Sequence, residues 1–210
     1  MCVKLKKQIA LLFKQDIADK FEKEITQEQL ESLSLNFYQG EIIVIDHPDQ
    51  VKNAVIDLQS EDILGFDTET RPSFRKGEYH PIALIQVASA SKVFLFRTNM
   101  IGFPEPLRRV LENKRIVKAG IGLDNDLPEL KKLHPFNPGG FIDLNKELPP
   151  LGFMNTGAKK LTALILGFRL SKTKQTSNWE AISLTTGQLA YAATDAWVCR
   201  AIYLRLCGVS

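Results

Sequence analysis

Long apolar runs are missing from this chain of 210 residues: nothing approaches the roughly 20 consecutive apolar positions that a bilayer-spanning helix needs, and candidates such as the stretch from Leu161 to Leu166 are short. No membrane association is expected, and a soluble protein is. A secretory leader is not read either. The N-terminus has a basic start, but its apolar stretch runs only from Ile9 to Phe13, and no small-residue cleavage site precedes Lys14 and Asp16. Cysteine is scarce and badly spaced for chemistry. Cys2, Cys199 and Cys207 form no CxxC pair and lie at opposite ends of the chain, which argues against a zinc site and a disulfide framework and fits a reducing, cytoplasmic compartment. There is no internal repeat and no low-complexity tract.

What is present is a globular composition, 44% apolar and 24% charged, long enough for one catalytic domain with a small extension. The net charge is only +3, but it is unevenly spread. Residues 1–60 hold seven Lys/Arg against ten Asp/Glu, and the remainder holds twenty against fourteen. Between Leu148 and Trp179 there is no acid at all, whereas Lys159, Lys160, Arg169, Lys172 and Lys174 all fall there. Such a stretch can bind a polyanion, and on charge alone it is equally well read as a solvated surface that happens to lack acids.

Residues 1–33 alternate apolar and charged positions at helical spacing, with Thr26 and Gln29 placed as a capping box, so residues 1–38 are expected to form a helical N-terminal extension. A domain over 39–210 then opens with the strand GEIIVID and a helix whose apolar face is Val51, Ala54, Val55 and Leu58. Three strand-like runs follow, ILGFDTE, IALIQVA and KVFLFR, with short links that suit an antiparallel meander. Next come a helix from about Pro104 to Glu112, the strand RIVKAG, a short helix around Leu127 to Leu133 and the brief strand FIDL. The last third carries a helix near Lys159 to Leu166, a polar loop from Ser171 to Asn178, and a long helix from about Thr186 to Leu206. An antiparallel start followed by helix-connected strands predicts an α/β fold, a mixed β-sheet flanked by helices, the ribonuclease H-like plan.

Three places carry chemistry. In ILGFDTET, Asp67 and Glu69 are two residues apart on a strand, so both carboxylates leave one face while Phe66 and Thr68 take the other. Adjacent negative charges are unfavourable without a cation between them, and oxygen ligands suit Mg²⁺ or Mn²⁺; alone, though, the pair reads more readily as exposed strand-end acids, and further ligands are required. In KAGIGLDNDLPEL, Asp124, Asn125 and Asp126 cluster where a helix cap falls, Pro128 suits a first turn, and Gly120 and Gly122 permit a tight turn. In the last helix Tyr191 and Asp195 stand at i and i+4 among Ala192, Ala193 and Ala196, and an acid in so apolar a helix needs a partner unless it lies on a solvated stripe.

Taken together and in this order, GFDTET followed by PIALIQVAS, then GIGLDND, then YAATD resemble the three motifs of the ribonuclease D and Werner-type 3′→5′ exonucleases, the tyrosine-bearing branch of the DEDD family. The resemblance runs from about Glu41 to Leu206, and SKTKQTSNW, with Ser177 and Trp179, looks like the segment before the third motif. It implies two divalent cations held by Asp67, Glu69, Asp126 and Asp195, with Tyr191 orienting or activating the attacking water. By the family's spacing the second-motif aspartate falls on Asp126, leaving Asp124 or Asn125 as the cap. Thr68, Lys172, Lys174 and Trp179 are the expected substrate contacts. The implied substrate is single-stranded or 3′-recessed DNA or RNA, shortened from its 3′ end to nucleoside 5′-monophosphates, with DNA and RNA left undistinguished. No helicase or further RNA-binding domain falls within the sequence, so a protein partner for targeting is expected. A haloacid-dehalogenase-like phosphatase fits less well, since its second acid is usually Asp and it has no use for Tyr191. A catalytically silent nucleic-acid-binding module on the same fold is the other alternative, and loss of a metal-holding acid would mark it.

Overall fold

The computed structural model describes residues 20–171, 174 and 176–209 of the chain. Among these, six strands form one mixed sheet: β1 (Glu41–Ile45), β2 (Ile63–Thr70), β3 (Ile82–Ala88), β4 (Lys92–Phe96), β5 (Val117–Gly120) and β6 (Phe141–Asp143). Their order is β1-β4-β3-β2-β5-β6. The expected meander is present, β2 pairing antiparallel with β3 and β3 with β4, while β1 joins β4, β5 joins β2 and β6 joins β5 in parallel. Parallel neighbours need crossovers, and these are supplied by α2 (Val51–Gln59), α3 (Thr98–Ile101) with α4 (Glu105–Glu112), and α5 (Leu123–Leu133).

IALIQVA reads as an apolar run broken only by Gln86 because β3 lies at the centre of the sheet and is buried along its whole length. One face is covered by α2, α4 and α5, which bring Val55, Leu58, Leu107, Leu111 and Leu130 against Phe66, Ile85 and Phe94. The other face carries α8 (Thr186–Leu206), whose Ala192, Ala193 and Ala196 lie on Leu84, Ala88 and Leu95. Outside α8, α7 (Ala158–Leu166) packs Leu161 and Ile165 against Val198 and Ile202. With a sheet on one side and a helix on the other, α8 has little solvated face, which explains its apolar sequence.

Three expectations need correction. Of residues 20–38, only α1 (Gln27–Ser32) is helical, capped by the Thr26 and Gln29 box as expected; residues 1–19 lie outside the described residues. The helix placed at Leu127 begins four residues earlier, at Leu123, so Pro128 stands inside α5 and not in a first turn. It forgoes one backbone hydrogen bond there, to the Asp124 carbonyl. The short helices α3 and α6 (Leu144–Glu147) were not anticipated, because four residues are too few to show a period.

One buried cation is tied to backbone. Lys118, fully buried in β5, donates from Nζ to the carbonyls of Asn113 (2.8 Å), Ile116 (2.9 Å) and Val110 (3.3 Å), closing the C-terminal end of α4 with a cation.

Candidate metal centre

Gly65, Asp67 and Glu69 share one face of β2, the face on which α8 lies. A Cβ on Gly65 would come within 2.0 Å of the Ala196 carbonyl oxygen and 2.9 Å of the Arg200 Cβ, so helix backbone rests directly on strand backbone. That approach sets Asp195, one residue before Ala196, against the strand's acids. One ligand oxygen from each of Asp67, Glu69 and Asp195 lies within 4.8 Å of the other two. A shift in register between Glu69 and Thr70 ends the regular pairing just beyond them.

The electrostatics match the geometry. Burial pushes the Asp67 carboxyl well above its ordinary range, and the charges of Asp195, Glu69 and Asp126 push it further. Glu69 is raised to about 9 by burial and then by Asp195 and Asp126. Asp195 is raised only to about 7, because the Tyr191 hydroxyl donates to it and the Lys159 ammonium lies near, both opposing the effect of burial. Three carboxyls that resist ionising together are a site that a hard cation completes, and their oxygen-only donor set fits a divalent ion.

Asp126 stands beside this cluster. It projects from α5 on the opposite side of β2, where the Thr68 hydroxyl donates to its Oδ1, and it is close enough for its charge to raise Asp67 and Glu69. Its own carboxyl is raised by burial, an effect that the Thr68 hydrogen bond opposes. Thr68 is therefore at the site, lining the cleft and holding an acid. Asp124 and Asn125 do not cap α5. Gly122, left-handed at φ 82°, is the N-cap, and the carboxylate of Asp143 accepts from the backbone N–H of Gly122 and of Leu123, both at 2.9 Å. Asp124 pairs with Lys146 instead.

Tyr191 and Asp195 are joined by the hydroxyl, and burial beside three carboxylates keeps that hydroxyl protonated. The Tyr191 ring leans on Trp179, centroids 6.1 Å apart. Trp179 itself is fully buried, with its indole N–H unpaired among the described residues. It supports Tyr191 from within the core and cannot be the substrate contact expected of it. Lys172 lies outside the described residues, and Lys174 sits near the start of α8, its Cε 3.0 Å from where a Gly187 Cβ would be. The acids open on a cleft of about 470 Å³ that Lys159 and Lys160 also line. Arg169 is used structurally, its Nε donating to the Leu33 carbonyl at 2.9 Å.

Sequence reasoning missed Gly65 and Asp143. The first had a signal, a glycine two residues before an acid in a strand, which marks close backbone approach. Gln86 was also passed over: it pairs in register with Asp67, is fully buried, and neither of its amide atoms has a hydrogen-bond partner among the described residues.

A sheet-and-helix scaffold that gathers acids at a strand end under a tyrosine-bearing helix forms a site suited to a divalent cation. Residues 42–207 match the family model described as 3'-5' exonuclease. The chain belongs to that 3′-5′ exonuclease family. It is 36% identical over 157 residues to the mouse (Mus musculus) bifunctional 3'-5' exonuclease/ATP-dependent helicase WRN, a match covering 71% of this chain and 11% of that protein. Among solved structures, the Nibbler EXO domain of Aedes aegypti superposes with a TM-score of 0.74 at 22% identity, over 81% of this chain and 90% of the other. The ribonuclease D of Trypanosoma brucei in complex with RNA U12 superposes with a TM-score of 0.68 at 20% identity, over 80% and 62%. These likenesses show the ribonuclease H-like exonuclease fold. The chain spans 11%, 26% and 51% of the lengths of three curated relatives that it matches.

Proposed function

We propose that this chain hydrolyses phosphodiester bonds from the 3′ end of a nucleic acid strand, using two divalent cations, Mg²⁺ or Mn²⁺, and releasing nucleoside 5′-monophosphates. The observation that carries this reading is the convergence of Asp67, Glu69 and Asp195 under the Tyr191 hydroxyl, with Asp126 alongside. Those four acids would hold the ions, which when bound supply charge stabilisation to the entering and leaving oxygens of the displacement at phosphorus.

The protein's own groups do the rest. Asp195 accepts from Tyr191 and so fixes the hydroxyl at the cleft, where it can orient a water toward the scissile phosphate. Attack forms a new P–O bond and breaks the bond to the preceding nucleotide's 3′ oxygen, leaving a 5′-monophosphate and a strand shorter by one. Lys159 and Lys160, on the cleft wall, meet phosphate charge. Substrates of both sugars suit this chemistry, since it acts on phosphate. A reducing, cytoplasmic setting is proposed on the two cysteines within the described residues, both free. Among the described residues no helix is long and apolar enough to cross a membrane.

The test compares end-labelled linear single strands, 3′-recessed duplexes and covalently closed circles, as DNA and as RNA, with Mg²⁺, Mn²⁺ or chelator. Metal-dependent release of 5′-mononucleotides from linear forms, with circles intact, is expected. Cleavage of circles at the linear rate would instead mean an endonuclease.

A further inference from the structure

Beside the metal centre lies a second cavity, of about 150 Å³ and mostly apolar, that the chemistry above does not use. Leu35 and Phe37 form one wall, Gly187 and Ala190 of α8 the other, and Leu170, Ser171, Tyr191 and Asp195 line both this cavity and the catalytic cleft. The two spaces therefore adjoin.

The wall is built to be rigid. Leu35, Asn36 and Phe37 all line the cavity, and Leu35 makes an isolated parallel bridge with Arg169. The Asn36 N–H donates to the Arg169 carbonyl (3.2 Å) and the Arg169 N–H to the Ser34 carbonyl (3.0 Å). On the far side the Tyr38 N–H donates to the Thr194 hydroxyl (3.0 Å), and the Tyr38 ring packs on Trp197 with centroids 5.8 Å apart. Despite that anchoring, Leu35 and Phe37 stay 51% and 48% exposed. Two large apolar side chains held half in water, side by side and facing a cleft, form a platform for something flat and apolar. Opposite them the helix presents Gly187 and Ala190, with Tyr191, Thr194 and Asp195 alongside, which leaves a slot between wall and helix. Lys174 stands at Gly187, placing a cation at the slot's border.

From this geometry we infer that the segment preceding β1 forms a nucleobase subsite, in which a base of the bound strand lies on Phe37 and Leu35 against Gly187 and Ala190. The inference rests on the exonuclease reading, because adjacency to that cleft is what makes a base the occupant. Stacking on an aromatic ring tolerates any base, since each has a π-face, so the subsite adds affinity and register without sequence preference.

A binding cycle in Ca²⁺ tests it. Single-stranded oligonucleotides carrying an abasic residue at each of the last four positions in turn are titrated against the unaltered chain, Phe37→Ala and Phe37→Tyr. Removing the base at one position should weaken binding about tenfold, Phe37→Ala should weaken binding of the intact strand by a similar factor, and the two losses should not add. Phe37→Tyr should restore both the affinity and the positional effect. Equal sensitivity at all positions, or losses that multiply, would overturn the subsite. So would tight binding by Phe37→Ala. Because binding is read without hydrolysis, a chain that shows the cycle but never turns over would refute the exonuclease reading and leave the subsite standing.

Discussion

The carbonyl oxygen of Ala196 occupies the place where a side chain on Gly65 would begin, so the last helix and the second strand touch backbone to backbone. The metal centre is a product of that contact, because Asp195 and Asp67 stand one step along helix and strand from it.

Gly65→Ala should therefore act on structure and chemistry at once. The added Cβ meets backbone, which cannot swing away, and overpacking of this kind costs about 1–3 kcal/mol. A fall of several degrees in Tm together with a loss of metal-dependent activity is expected, measured by thermal melts and end-labelled strand digestion. Full activity would show that α8 can ride outward without separating the acids.

Asp195→Asn and Asp67→Asn should lower turnover by orders of magnitude while the protein stays folded. In chelator each variant should melt at the same temperature as the unaltered chain or higher, because one buried, mutually repelling charge is gone. The rise in Tm on adding Mn²⁺ should shrink in both. A variant that keeps full turnover would remove that acid from the centre.

The same repulsion gives a pH dependence in the metal-free chain. Folding raises Asp195 from 3.8 to about 7 and Glu69 from 4.5 to about 9, so the folded state binds protons more tightly than the unfolded one. The stability this contributes is complete below the ordinary carboxylate range and is lost as pH rises through about 7 and then about 9. Melts in chelator should fall across that window, and the gain from Mn²⁺ should grow, since the cation binds the ionised acids. A Tm in chelator that climbed from pH 5 to 9 would contradict the geometry.

Tyr191→Phe removes one hydroxyl and leaves the ring on Trp179. Binding of metal and strand should persist, with kcat down by about 10²-fold or more. Unchanged kcat would reduce Tyr191 to packing.

The cationic residues should separate by role. Neutralising Lys159 and Lys160, which line the cleft, should weaken binding of all sequences and flatten its salt dependence by roughly one charge each. Arg169→Ala should chiefly lower Tm, since its guanidinium holds the Leu33 carbonyl. An unaltered salt slope in the lysine variant would return these residues to the ordinary solvated surface.

Much of this was legible in sequence because strong local signals and tertiary needs agreed. The buried face Val51, Ala54, Val55, Leu58, the meander and the last helix stand where periodicity put them. The acids on β2 showed their shared face by spacing alone. Where the reading failed, distant residues decided. α5 starts at Leu123 because Asp143, twenty positions on, caps it, so no local cap was needed among Asp124 to Asp126. Trp179 reads as a surface aromatic in a polar loop, yet the small residues of α8 leave room that draws it into the core. Gly65, Asp143 and Gln86 matter through what folds against them, which a single sequence does not display.

Closeness between strand and final helix also sets a timetable. Asp67, Glu69 and Asp126 all precede Tyr191 and Asp195 in the chain, so they are synthesised before the residues that complete the cluster. The carboxylate cluster is assembled in a single later event, the docking of α8 onto Gly65.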